Sequence, residues 1–327
     1  MAGPTSLKGF DRVGDDTLNS IVQSSLITFF EWGLIDKGNY FNVNIPTSGH
    51  YGGDKHRLRL VDDPNYTKGQ IWEGFRSNWV WQSGNSTYPL SQSPEPIQVS
   101  GVYINGAYKP LSTVGTYAHH VEYPAGRIVF DSAIPTSTTV EAEFSYTWIN
   151  VIPANSIPWF RELQYRSQRV DSDHFLQDGS GDWSQLGQSR MQMPSLAVEI
   201  VPRRRFAPYQ LGGGTYVTTD VLFHAIAENE YTRDKIIDIV SYQNEKTIYL
   251  LNTNRMAEFD KFPLDYRGSI SDGAMIYPDL VKPTGVGGFQ YHRLRFDKMY
   301  SQEMTMLHPS LYTGVVRAST EVIMPTI

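Results

Sequence analysis

Between Leu18 and Phe30, apolar residues recur at intervals of three and four: Leu18, Ile21, Val22, Leu26, Phe29 and Phe30. This spacing predicts a helix over 16–35 with one apolar stripe, capped by Asp15 or Asp16, with Gly33 near its end. A different period governs the middle of the chain. From Val140 to Trp148, Val140, Ala142, Phe144, Tyr146 and Trp148 alternate with Glu141, Glu143, Ser145 and Thr147. Alternation of this kind predicts a half-buried antiparallel strand. Just upstream, Gln98–Ile104 runs into Asn105 and Gly106, the pair favoured in a type I′ hairpin turn. His119–Tyr123 and Arg127–Phe130 read as a further strand pair around Pro124–Gly126.

These signals divide the chain. Residues 97–151 predict four or five short strands, a small β-sandwich or barrel-like module. Residues 37–96 read as a loop-rich insertion with short strands at Arg57–Val61, Ile71–Trp72 and Trp79–Trp81; residues 152–190 read as a connecting segment. Beyond it come a buried strand at Ser195–Val201, a linker at Pro202–Gly214, and a strand at Tyr216–Ile226. A helix capped by Thr232 and a strand at Lys246–Leu251 follow, and strands at His292–Met299 and Tyr312–Met324 close the chain. The expected fold class is α+β. Residues 1–36 and 191–327 form a mixed sheet with flanking helices, and a small antiparallel β-sandwich module is inserted between them.

Composition narrows the function. The 327 residues are 40% hydrophobic and only 19% charged, so the chain can bury a sizeable core and is not globally disordered. A net charge of −6 argues against a protein that chiefly grips nucleic-acid phosphates. The absence of cysteine removes disulfides, thiolate metal sites and cysteine nucleophiles. The first residues lack a basic stretch followed by an apolar run, and no apolar stretch is long enough for a transmembrane helix, so cytosolic synthesis is expected.

Candidate chemistry is sparse. Asp171 to His174 with Asp178 to Asp182 is the densest carboxylate cluster, but Phe175 occupies the fifth position and no closing Glu stands in EF-hand register; a solvated turn is the plain reading, with calcium as the alternative. His50, Asp54 and His56 are a loose set of donors in a loop, and His119 and His120 face opposite sides of a strand. Gly212–Gly214 lacks the Lys and Ser/Thr of a phosphate loop. Glu141, Glu143, Glu228 and Glu230 keep a paired-carboxylate glycosidase open, although Glu141 and Glu143 are what solubility alone would place on a two-sided strand. No catalytic, metal or cofactor-binding residue is assigned, and no cofactor is expected. Arg203, Arg204 and Arg205 form the basic cluster of the chain and suit an acidic protein face better than DNA. Tyr, Trp and Arg are the residues interface centres favour. Trp72, Trp79, Trp81, Phe29 and Trp32 join the three arginines as candidate contact residues.

Two resemblances give this a direction. Val102–Gly106, Val121–Asp131 and Val140–Tyr146 resemble the short β module of tailed-bacteriophage neck and tail proteins. The leading helix at 16–35, with Met193–Glu199, Gln210–Gly214, Val217–His224 and the helix Thr232–Gln243, is similar in order to phage tail terminator proteins; the insertion at 37–190 departs from that pattern. The resemblance implies a non-enzymatic virion subunit, assembled in the host cytoplasm into a ring, in most cases a hexamer. Such a ring caps the tail tube or sheath, docks on the head connector, and passes DNA through its lumen. Residues 37–95, Arg203–Arg205 and 255–290 are expected to supply the contacts. Baseplate, head-closure or fibre-attachment roles are alternatives. So is a carbohydrate-binding virion protein using Trp72, Trp79 and Trp81 as a stacking row.

Overall fold

The structure is a computed structural model that describes residues 12–45, 55–82, 95–156, 192–208, 214–308 and 311–324. It is α+β, as the sequence pattern predicts, with two principal cores.

The first core lies under a six-stranded sheet. Its strands are β10 (Asn150–Pro153), β11 (Ser195–Pro208), β12 (Thr215–Ala227), β13 (Thr247–Leu251), β14 (Gln290–His308) and β15 (Leu311–Met324), in the order β10-β11-β12-β15-β14-β13. β10 runs parallel to β11; every other neighbour is antiparallel. Helices α1 (Leu18–Asp36) and α2 (Glu230–Ser241) share one face. Period two in the strands meets the helical period here. Val217, Val221 and Phe223 of β12 and Val316, Ala318 and Val322 of β15 pack against Leu26 and Phe30 of α1 and against Ile236 and Val240 of α2.

Local chemistry fixes both helices. α1 begins at Thr17, which makes no side-chain cap, and neither Asp15 nor Asp16 acts as its cap. Instead the Asp16 N–H donates to Asn254 Oδ1, at 2.6 Å, so the entry is held from a distant segment. The helix runs through Gly33 and ends at Asp36; Gly38 follows with φ of +85°, its N–H on Ile35 O and the next, that of Asn39, turned back onto Leu34 O. α2 is capped by Asn229, not Thr232: the Asn229 side chain accepts from Thr232 N at 2.8 Å. Asn229→Ala is expected to lower stability by about 1 kcal/mol, read as a shifted denaturation midpoint.

The expected linker after residue 201 is a strand. β11 passes through an irregularity between Ile200 and Arg204 and continues to Pro208. Pro202 sits where the ladder is already broken, so its missing N–H costs little.

The second core collects three small sheets from residues 40–147. β1 (Tyr40–Val43) pairs with β9 (Phe144–Thr147). β2 (Arg59–Leu60), β3 (Ile71–Glu73), β7 (Arg127–Phe130) and β6 (His119–Glu122) form a second sheet. β5 (Ala107–Pro110), β4 (Gly101–Ile104) and β8 (Val140–Ala142) form the third. The Asn105-Gly106 turn joins β4 to β5 with φ of +49° and +79°, as a type I′ turn requires. Trp79 and Trp81 form no strand: Trp79 makes one isolated bridge to Tyr146. Short helices α3 (Thr253–Glu258) and α4 (Tyr277–Leu280) follow β13. Among the described residues, no helix is long and apolar enough to cross a membrane.

Amide side chains join the two cores. Asn39 donates to Ile149 O and accepts from Ile149 N, at 2.9 and 2.8 Å. Asn78 donates to Asn150 Oδ1 at 2.7 Å, and Asn150 reaches Gln192 O at 3.1 Å. The 264–270 loop also docks on β6, through Tyr123 N to Gly268 O and Ser269 Oγ to Val121 O.

Candidate assembly surfaces

The aromatic residues proposed as contacts are largely core. Trp72, Trp79 and Trp81 are 4%, 2% and 9% exposed. The Trp72 indole donates to Gly69 O and that of Trp79 to Arg76 O, which removes the desolvation cost of burying them. Trp79 stacks on Phe144 with centroids 4.2 Å apart. These three rings offer no stacking row at the surface, because each closes the inside of the small sheets. Phe29 is buried too, edge-on to Phe30 and Tyr277; Trp32 is partly buried and stacks on Tyr277. Tyr277 is the ring that residue spacing could not supply, since it arrives from a segment about 245 residues downstream.

The arginines have a different position. Arg203, Arg204 and Arg205 lie in β11, beyond the four residues that β10 pairs. The Arg203 side chain lies outside the described part of the structure. Arg204 is partly buried and Arg205 exposed, and Phe206 beside them is 61% exposed. Among the described residues neither Arg204 nor Arg205 makes an ion pair, while burial lowers the Arg204 pKa from its ordinary value. A partly desolvated cation without a counter-charge is an incomplete interaction.

The second face of the six-stranded sheet carries neither α1 nor α2; a 3₁₀ turn, Ala154–Ser156, packs at one end of it. In β12 and β15, buried positions alternate with half-buried ones along most of each strand. On that face Leu222, Val315 and Ile323 lie among charged pairs. His224 Nε2 lies 2.9 Å from Glu199 Oε2, and Arg317 pairs with Asp220 across β12 and β15. A small cluster of Ala154, Ala197, Ile226 and Leu311 closes one end of this face.

The other candidates disperse. His50 and Asp54 lie outside the described residues. His56 pairs with Glu141, at 3.2 Å, so Glu141 does not simply face solvent. Glu143 accepts from Ile45 N at 3.1 Å. The two glutamates serve local structure, because the strand that carries them breaks between Ala142 and Phe144. His119 turns inward onto Phe130, and His120 approaches Glu122 and Asp131 on the opposite side. The stretch Asp171 to Asp182 and residues Gly212 and Gly213 lie outside the described residues. Among the described residues no three His, Asp or Glu side chains are grouped to hold a metal ion.

The densest ionic group surrounds Arg127, a residue no sequence motif singled out. Its Nε lies 2.5 Å from Glu122 Oε2 and its Nη1 3.5 Å from Asp63 Oδ2, with the Tyr66 ring 5.7 Å from the guanidinium. Burial raises the Glu122 pKa, but hydrogen bonds to His120 and Arg127 outweigh it and hold the carboxyl below its ordinary value. The group ties the loop at residue 63 to the β6–β7 hairpin.

Comparison with known proteins returns no match to a family model, to a curated protein or to a solved structure.

Proposed function

We propose that this chain is a non-enzymatic structural protein of a tailed-phage virion, working in the neck or tail as a subunit of a ring. The reading rests on the resemblance of its β module and its helix–sheet order to neck, tail and terminator proteins. One structural observation supports it above the rest. The six-stranded sheet keeps α1 and α2 on one face, while on the other Leu222, Val315 and Ile323 lie half-buried among ion pairs, with the Ala154–Ser156 turn at one end. Faces that mix half-buried apolar and charged side chains suit docking against another protein.

In this reading the subunits join head-to-tail around the tail axis, cap the tube or sheath, and offer a second surface to the connector above. Acidic residues at the lumen would keep passing DNA from adhering, in line with the net charge of −6. No cofactor or metal enters the function. Assembly takes place in the host cytoplasm and ends in the virion.

Native mass spectrometry of the full chain tests the reading. The expected species is a closed multiple of the 37.1 kDa chain, a hexamer by the terminator resemblance, visible as rings in negative stain. A strictly single-copy sample that also fails to join phage tails overturns it. Binding of the chain on a glycan array would favour the carbohydrate class instead, by a surface other than Trp72, Trp79 and Trp81.

A further inference from the structure

Two exposed surfaces at opposite edges of the six-stranded sheet have complementary chemistry. One is the free stretch of β11, where Arg204, Arg205 and Phe206 lie beyond the end of β10. The other begins at the end of α3, which follows the opposite edge strand, β13. There residues 257–262 are exposed without interruption, and the segment Glu258 to Tyr266 contains Glu258, Asp260 and Asp265 against Lys261 alone. It also presents Phe259, Phe262 and Tyr266, which are 54%, 40% and 88% exposed. Asp260, with φ of +51°, lies at the turn of this segment. Each surface thus pairs exposed aromatic area with charge, and the charges are opposite in sign.

We propose that these two surfaces meet between copies: β11 of one subunit, through Arg204, Arg205 and Phe206, docks on the Glu258–Tyr266 segment of the next. The proposal rests on the ring reading above and names its contacts. Three features carry it. First, Arg204 is partly buried with no carboxylate among the described residues, and a neighbour's Glu258 or Asp260 would supply one. Second, aromatic rings left at 40% to 88% exposure within eight residues are covered on docking, as interface centres require. Third, β11 and β13 are four strand spacings apart, roughly 19 Å, on opposite sides of one sheet. A contact that joins two different patches, made once between successive copies, is heterologous and repeats into a ring or a helix. The sheet's open face stays available for the neighbours above and below.

Charge exchange tests this directly. One variant carries Arg204→Glu with Arg205→Glu, the other Glu258→Lys with Asp260→Lys. In each, like charges face one another at every contact, so native mass spectrometry should show at least tenfold less assembly than wild type. Mixing the two restores complementary contacts, and the mixture should assemble again. Wild-type chain needs no variant: its assembly should weaken roughly tenfold or more as salt rises from about 0.1 M to about 1 M. Wild-type chain that never assembles overturns the ring reading, and this proposal with it. Wild-type chain that assembles without salt dependence overturns this proposal and leaves the ring reading standing. The proposal likewise falls, and the ring reading stands, if each folded variant still assembles alone or if their mixture stays single-copy.

Discussion

Replacing Arg127 with Met should destabilise the chain by about 3–5 kcal/mol, among the largest effects of any single change outside the hydrophobic cores. The loss comes from what stays behind. Asp63 and Glu122 have side chains only 4% and 11% exposed, and both face the guanidinium. Without it, two desolvated carboxylates oppose each other across β7. Asn65 still donates to Asp63 Oδ1, so the loop keeps part of its order. A combined Arg127→Met, Glu122→Gln, Asp63→Asn variant should recover most of the loss, because it strands no charge. Denaturant midpoints of the two variants check this; equal losses in both would mean that packing of the arginine stem, not charge pairing, holds the site. The pH dependence has a definite sign. The Glu122 carboxyl is held below its ordinary value, so its contribution is present at neutral pH and fades as pH falls through that lowered value.

That network shows where sequence reading stops. The β6–β7 hairpin is legible, since His119–Tyr123 and Arg127–Phe130 flank a Pro-Ala-Gly turn. Asp63 is about sixty residues earlier, in a stretch without periodicity, and only the β3–β7 pairing brings it close. Local patterns report local structure. They do not report which loop a strand pair will draw in.

The strand from Val140 to Trp148 shows the same limit. Its apolar positions Val140, Ala142, Phe144 and Tyr146 are buried as read, but the strand is neither continuous nor half-buried throughout: β8 pairs with β4, and β9, buried along its length, pairs with β1. The break at Glu143 lets one apolar register serve two sheets. Ser145 and Thr147, which read as the solvent side, are 0% and 4% exposed, because residues 97 and 78 cover them. Ser145 Oγ accepts from Ile97 N at 2.6 Å and donates to Asn42 Oδ1. Period two identifies two faces; it cannot tell whether the second meets water or chain.

The contact residues divide by the same logic. Trp72, Trp79, Trp81 and Phe29 qualify by residue type, and type alone does not separate a core ring from an interface ring. The arginines qualify as a charge cluster, which rarely survives burial unpaired, and Arg204 and Arg205 do lie outside the cores. The acidic segment Glu258–Tyr266 lies inside the 255–290 stretch that the sequence offers for contacts, but its relation to β11 depends on the sheet order, which local pattern does not report.

Glu31 makes the other large prediction, and its sign is opposite to that of Glu122. It lies on α1, partly buried, where burial raises its pKa to about 7 against the lowering effect of a hydrogen bond from Gln82. Gln82 belongs to the other core, is 4% exposed, and its Oε1 has no partner among the described residues. A neutral carboxyl has an O–H to offer that oxygen; a carboxylate has none. The folded state therefore holds a proton that the unfolded chain releases near its ordinary value of 4.5. Between those two values folding is weakened as pH rises, by at most about 1.4 kcal/mol per pH unit, and above about 7 the loss is complete. Glu31→Gln stays neutral throughout and keeps an amide facing Gln82. It should match wild type near pH 4.5 and exceed it by roughly 2–3 kcal/mol at pH 8. Urea midpoints of the two chains measured across this range give the difference free of every other titrating group. A gap that stays constant with pH would mean that Glu31 is ionised in the fold, with its charge met by solvent at the joint between helix and small sheets.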